Sequence, residues 1–101
     1  MIAEHKQGEQ FIVKQLEDLI DQQVVLDTQT PIVYIGILRS INDYAFLLED
    51  VDMHDCRDGH AQKEEYLAKL CHSGVTVNRR QIVVMKHFVV SVSRLSDVVI
   101  E

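Results

Sequence analysis

Tryptophan is absent from the 101 residues, proline occurs once and cysteine twice. Cys56 and Cys71 are too few for a disulfide framework in a domain of this size, so a reducing, cytoplasmic setting is expected. Basic residues are in deficit: 10 Lys and Arg stand against 16 Asp and Glu, a formal net charge of -6. That balance argues against broad wrapping of nucleic acid, which needs clustered cations, while leaving room for a small basic pocket. No apolar run approaches the ~18 residues of a membrane span, and Met1 to Gln10 carries no apolar signal-peptide core. Internal repeats, low-complexity tracts and linkers are also missing. With 47% hydrophobic and 26% charged residues, the composition is globular rather than disordered. A single domain over residues 1–101 is expected, since a chain of this length buries about 65% of its unfolded surface.

Glu9 to Asp21 reads as one helix, because Ile12, Leu16, Leu19 and Ile20 recur at helical spacing. It is short for an independent helix and must dock. After it the pattern turns to strands: Gln22 to Thr28, then Ile32 to Ile41 beyond the turn at Thr30-Pro31, then Tyr44 to Met53 beyond Asn42-Asp43. The second strand is apolar on both faces and so must be covered on both. Gly36 in its middle marks a bend or a close backbone approach. His54 to Ser73 interrupts the strands, with a short helix from Ala61 to His72 that Ser73-Gly74 ends. Val75 to Lys86 and Phe88 to Leu95 read as the fourth and fifth strands. The expected fold is mainly β: an N-terminal helix and a five-stranded, strongly bent antiparallel barrel. A helical or loop insertion (about 54–74) lies between strands three and four.

Gly36-Ile37-Leu38-Arg39-Ser40-Ile41-Asn42-Asp43-Tyr44 followed by Phe46-Leu47-Leu48, and Val77-Asn78-Arg79-Arg80-Gln81-Ile82-Val83-Val84 further on, carry a resemblance. In this element order they resemble the two motifs of the Sm-like (LSm) family. Val84-Met85-Lys86-His87-Phe88-Val89 is similar to the Tyr-Lys-His segment of its bacterial Hfq branch, whose members are RNA chaperones. The resemblance spans Gln10 to Leu95 without the insertion. It implies rings in which the fourth strand of one subunit pairs with the fifth of the next. Here Ile82, Val83, Val84, Val89, Val90 and Val92 would supply the interface, and a Val-rich edge without proline is an association template. The alternative is that these two strands pair with each other inside a monomer.

The resemblance also implies a pocket for single-stranded, U-rich RNA near the ring pore. Tyr44 would stack a base, Lys86 and His87 would bond its edge and the phosphate, and Gln10 and Asn42 would add polar contacts. The chemistry fits, because an aromatic face and a nearby cation answer a base and its backbone. The plainer reading makes Tyr44 a turn residue, Lys86 a solvated cation and His87 part of a turn. Arg79, beside Arg80, would add a phosphate contact or else pair with an acidic neighbour. Departures from the family are visible. Asn42 and Phe46 stand where it has Asp and a base-reading Asn, and Arg79-Arg80-Gln81 replaces Arg-Gly-Asn. Asp27 and Val33 occupy the positions of the adenine-binding Tyr and Lys on the opposite ring face, so that second site is expected to be absent.

The stretch from Glu49 through Asp50, Asp52, His54, Asp55, Cys56 and Asp58 to His60 invites a metal reading. Its spacing fails the calcium-loop template, since Asp55 sits where glycine is needed. Cys71-His72, being adjacent, makes a poor zinc pair. The plain reading is an acidic, solvated loop, and residues Cys56 to Ser73 are expected to be removable without loss of the barrel. No nucleophile–base pair stands out, so no enzyme activity and no cofactor are expected. The partners expected are further copies of the chain and single-stranded RNA, with neither duplex DNA nor a membrane. The alternative is a ring acting as a protein-interaction or structural module without RNA.

Overall fold

The computed structural model describes residues 14–57 and 60–100; in the helix beginning at His60, side chains are described from residue 62 onward. Residues 14–17 are helical and run into a turn at 18–21. The strands are β1 (Gln23–Thr28), β2 (Ile32–Ile41), β3 (Ala45–Asp55), β4 (Arg79–Met85) and β5 (Val89–Arg94). The insertion helix, His60–Ser73, lies between β3 and β4. A three-residue 3-10 turn, Lys86–Phe88, joins β4 to β5, and a second, Leu95–Asp97, follows β5.

The strands form one sheet in the order β4-β3-β2-β1-β5, every neighbouring pair antiparallel. Consecutive in sequence, β4 and β5 therefore occupy opposite edges, and the described residues contain no ladder between them. This removes the intramolecular pairing left open by the sequence. Strong curvature separates them. At Gly36 the β2–β3 register slips, and a Cβ there would meet Val51 Cγ2 at 3.0 Å and the Glu49 carbonyl oxygen at 3.1 Å. Across from it Asp50 takes a positive φ of 51°, a conformation Asp tolerates better than most residues. A second slip lies between Leu38 and Ser40. Bulges of this kind bend a sheet and increase its twist.

Two apolar clusters sit on opposite faces of the sheet. Val24, Leu26, Leu38, Phe46, Leu48, Val51 and Val84 form the first, which Leu16, Leu19 and Ile20 of the N-terminal segment cover. Val25, Val33 and Ile35 form the second with Cys56, and Leu67 and Leu70 of the insertion helix cover it. The two-sided burial expected of the second strand is thus met by two different helical segments. The insertion is no solvated loop tip, because its leucines close half of the core.

Polar bonds hold that helix at two more points. Lys63 Nζ donates to Asp27 Oδ1 at 2.6 Å and to the carbonyls of Thr28 and Thr30 at 3.1 and 2.8 Å. The Tyr66 hydroxyl donates to the buried carboxylate of Asp52. Gly74 ends the helix at φ 84°, its N–H reaching the Leu70 carbonyl at 2.8 Å, which is a left-handed glycine stop.

Boundaries differ from expectation at three places. Helical geometry stops at residue 17 rather than Asp21; residues 9–13 of the expected helix lie outside the described residues. β3 runs on to Asp55 because Ile32 pairs with it. β4 starts at Arg79 rather than Val75. Before it, the Asn78 side chain does the work of a rung: Oδ1 accepts the Met53 N–H at 3.0 Å and Nδ2 donates to the Met53 carbonyl at 3.0 Å.

Candidate functional site

The β2–β3 turn and the β4–β5 junction lie side by side at one end of the sheet. Ala45 pairs with Met85, and the Lys86 N–H donates to the Tyr44 carbonyl at 2.8 Å. Asn42 shapes the turn: its Oδ1 accepts the N–H groups of both Tyr44 and Ala45 at 2.8 Å. Such a side-chain-to-backbone turn is the usual work of Asn at this kind of position. Fixed in this way, Tyr44 is 75% exposed.

Lys86 leans back over the sheet, with Nζ 5.7 Å from the centroid of the Phe46 ring, an attractive cation–aromatic distance. Phe46 belongs to the first cluster, so Lys86 lies on the face that the N-terminal segment covers. His87 is exposed, its ring 4.2 Å from that of Phe88 and tilted by 38°. Gln29, just past the end of β1, anchors the junction, its N–H donating to the Phe88 carbonyl at 3.0 Å. The end therefore offers a stacking face, a cation and an imidazole held by backbone rather than by one another.

Of the residues singled out from sequence, Tyr44, Asn42, Lys86 and His87 come together here. Arg79 does not. It begins β4 opposite Val51, about 20 Å of strand from Lys86, and its guanidinium donates to the Asn78 carbonyl at 2.8 Å. Gln10 lies outside the described residues. Phe46, at the position of the family's base-reading Asn, is 4% exposed and belongs to the core. Asp27 and Val33 pair across β1 and β2; Asp27 is bound to Lys63 and Val33 is buried under the insertion helix.

Among the edge residues, Val83 and Val90 are 59% and 58% exposed, Val84 is in the core, and Ile82, Val89 and Val92 pack partly against it. Val90 is the extra residue of a bulge against β1. The N–H groups of Asn78 and Lys86 both point to β3. Alternation then turns the polar backbone groups of Gln81, Val83 and Met85 outward, as unpaired rungs. Sequence reasoning missed Met85 and Phe88, 40% and 46% exposed; a Met and a Phe flanking Lys-His between two Val-rich strands was the available signal.

The described part of the acidic stretch resolves into separate structural roles; Asp58 and the His60 side chain lie outside the described residues. His54 stacks on Tyr66 at 3.7 Å, Asp52 takes the Tyr66 hydroxyl and an Asn78 amide, and Arg57 pairs with Asp55. Among the described residues no three His, Cys, Asp or Glu side chains converge on a metal position. Cys56 is buried in the second cluster, and burial pushes its thiol above the ordinary value, the opposite of an activated nucleophile. No described helix is long and apolar enough to cross a membrane.

No protein-family model and no curated protein matches the chain. The fold is that of Sm proteins. A solved structure of the Pyrococcus abyssii Sm protein, in complex with a uridine heptamer, superposes with a TM-score of 0.57. The superposition covers 81% of this chain and 94% of that one at 17% sequence identity.

Proposed function

We propose that the chain assembles with copies of itself into a closed ring through β4 and β5, and that the ring binds single-stranded, U-rich RNA where the junctions meet. The carrying observation is the exposed Tyr44 ring beside Lys86 and His87, tied by the Lys86 N–H to the Tyr44 carbonyl. A heterologous interface that closes on itself gives a ring, and two unpaired edges with exposed Val83, Met85 and Val90 suit one. Antiparallel pairing sets the end of β4 beside the start of β5 of the next copy. Every junction then gathers at one end, whereas parallel pairing would scatter them. The uridine heptamer bound by the Pyrococcus abyssii protein supports the ligand class, and the Lys86-His87 pair supports the likeness to the Hfq branch.

Tyr44 supplies the stacking face, Lys86 and His87 the polar contacts, and Asn42 the turn that presents them. Gln10 is a further pocket contact and Arg79 a phosphate contact at the outer end. The chemistry is binding, without catalysis or cofactor, on the cytoplasmic side. Affinity comes from a few contacts repeated around the ring rather than from the field of a body with net charge -6.

Titration with labelled oligo-U and oligo-A at two salt concentrations tests this reading. Oligo-U should bind more tightly than oligo-A, and duplex should not compete. Tyr44→Ala should cost about tenfold or more, a base stack being worth about 1–3 kcal/mol. Lys86→Ala should weaken binding and flatten the salt dependence. Absence of oligo-U binding at low salt would overturn the RNA reading. The ring as a protein-interaction module would then replace it, a reading favoured by the buried Phe46 and the acidic charge.

A further inference from the structure

Five tyrosine and phenylalanine rings lie among the described residues, and the fold uses three of them. Phe46 belongs to the first cluster, Tyr34 packs against it, and Tyr66 packs against the second. Tyr44 and Phe88, 75% and 46% exposed, belong to neither. Tyr44 is the stacking face proposed above; Phe88 has no role there.

Phe88 is held by its backbone. It closes the 3-10 turn Lys86–Phe88, and its carbonyl accepts the Gln29 N–H at 3.0 Å. The His87 carbonyl accepts the Gln29 side-chain amide at 3.4 Å. Lys86, at the other end of the turn, bonds Tyr44 through its N–H at 2.8 Å. A 3-10 turn rises about 2 Å per residue, so Phe88 stands about 4 Å of turn beyond the residue tied to Tyr44. The strand β5 begins at Val89, which leaves Phe88 just outside the edge that strand pairing between copies would cover. Its ring meets the His87 ring at 4.2 Å with a tilt of 38°, and both residues are exposed. Two rings in contact present a wider aromatic surface than either alone.

We infer that the His87–Phe88 ring pair is a second stacking platform, so that each copy binds two successive bases, one on Tyr44 and one on Phe88. The inference rests on the RNA site proposed above and deepens it: the ligand unit is a dinucleotide step rather than a single base. Lys86, which joins the two platforms, supplies the cation for the phosphate between them, and the His87 ring nitrogens remain for polar contact. Stacking tolerates any base, because every base has a π-face. The second platform therefore adds affinity in a site where Phe46, taken into the core, offers no base-reading group.

Photo-cross-linking of the wild-type chain to oligo-U carrying 5-iodouracil, followed by peptide mapping, tests this without a variant. Adducts should form at Phe88 as well as at Tyr44. Titration with long oligo-U at stoichiometric concentrations should saturate at about two nucleotides per copy. Phe88→Ala should weaken oligo-U binding about tenfold, with circular dichroism and light scattering unchanged. Phe88→Tyr should retain wild-type affinity, whereas Phe88→Leu, which keeps apolar bulk without a ring, should not. Unchanged oligo-U binding in Phe88→Ala, with adducts at Tyr44 alone, would overturn the second platform and leave the RNA site standing. Loss of assembly in Phe88→Ala, with no Phe88 adduct in wild type, would also overturn it and place Phe88 at the contact between copies. A wild type that binds no oligo-U at low salt would overturn both readings.

Discussion

At the junction end, the side chains that carry chemistry are exposed and the backbone fixes them; under the insertion helix, they are buried and fix one another. Tyr44 is held by the bond its N–H donates to Asn42 and the bond its carbonyl accepts from the Lys86 N–H, so its ring contributes little to holding the fold. Tyr66 spends its ring on His54 and its hydroxyl on Asp52. Two tyrosines of one chain thus serve opposite ends, one exposed at the junction and one committed to the core. The contrast teaches that exposure at the turn is possible because the burden of stability lies elsewhere, in the two clusters and the staples between helix and sheet.

Breaking the buried side should have the largest effect. Deleting the helix His60–Ser73 uncovers Val25, Val33 and Ile35, each at most 4% exposed, and the remaining chain should show no cooperative urea transition. Leu67→Ala and Leu70→Ala should each cost about 2–4 kcal/mol by the same measurement. A deletion variant that unfolds cooperatively near the wild-type midpoint would mean that the helix merely rests on the sheet.

The Tyr66–Asp52 contact should give a smaller effect with a pH signature. Burial first, and the hydrogen bond to Asp52 second, push the Tyr66 hydroxyl well above its ordinary value of 10. The folded chain keeps this proton at pH values where the unfolded chain has lost it. Its contribution to stability is therefore complete below about pH 10 and is lost as the pH rises beyond that. Tyr66→Phe should lower stability near neutral pH by about 1–2 kcal/mol, since Asp52 loses a buried donor. The variant should also decline less steeply than wild type between about pH 10 and pH 12. Equal alkaline slopes in urea melts would show that another group governs the decline.

Tyr44→Ala should have the smallest effect on folding, within about 0.5 kcal/mol of wild type, as for an exposed side chain without a structural partner. The same substitution is the one expected to cost most in oligo-U binding. A large loss of stability would erase the distinction between the two tyrosines.

Element order and most strand limits were legible in the sequence, because alternation, Gly36, the Thr30-Pro31 turn and Gly74 are local signals read from a few neighbouring residues. The grouping of Asn42 and Tyr44 with Lys86 and His87 was legible only through the family resemblance, and Arg79 shows the limit of that route. Its motif matches, yet the pairing of Val51 with Arg79 puts it at the far end of β4. The helix of the insertion was legible but its place in the core was not, because the composition is polar and, among the described residues, only Cys56, Leu67 and Leu70 of the insertion are deeply buried. What those leucines meet, Val25, Val33 and Ile35, lies about thirty or more residues earlier in the chain, and no window of sequence contains both partners. By itself the sequence determined where strands and turns form, since those follow from backbone preference and apolar period. Tertiary structure alone decided that β4 and β5 become opposite edges, that a polar insertion closes half the core, and that one tyrosine is spent on stability while another stays free. Those outcomes depend on which distant surfaces curvature brings into contact.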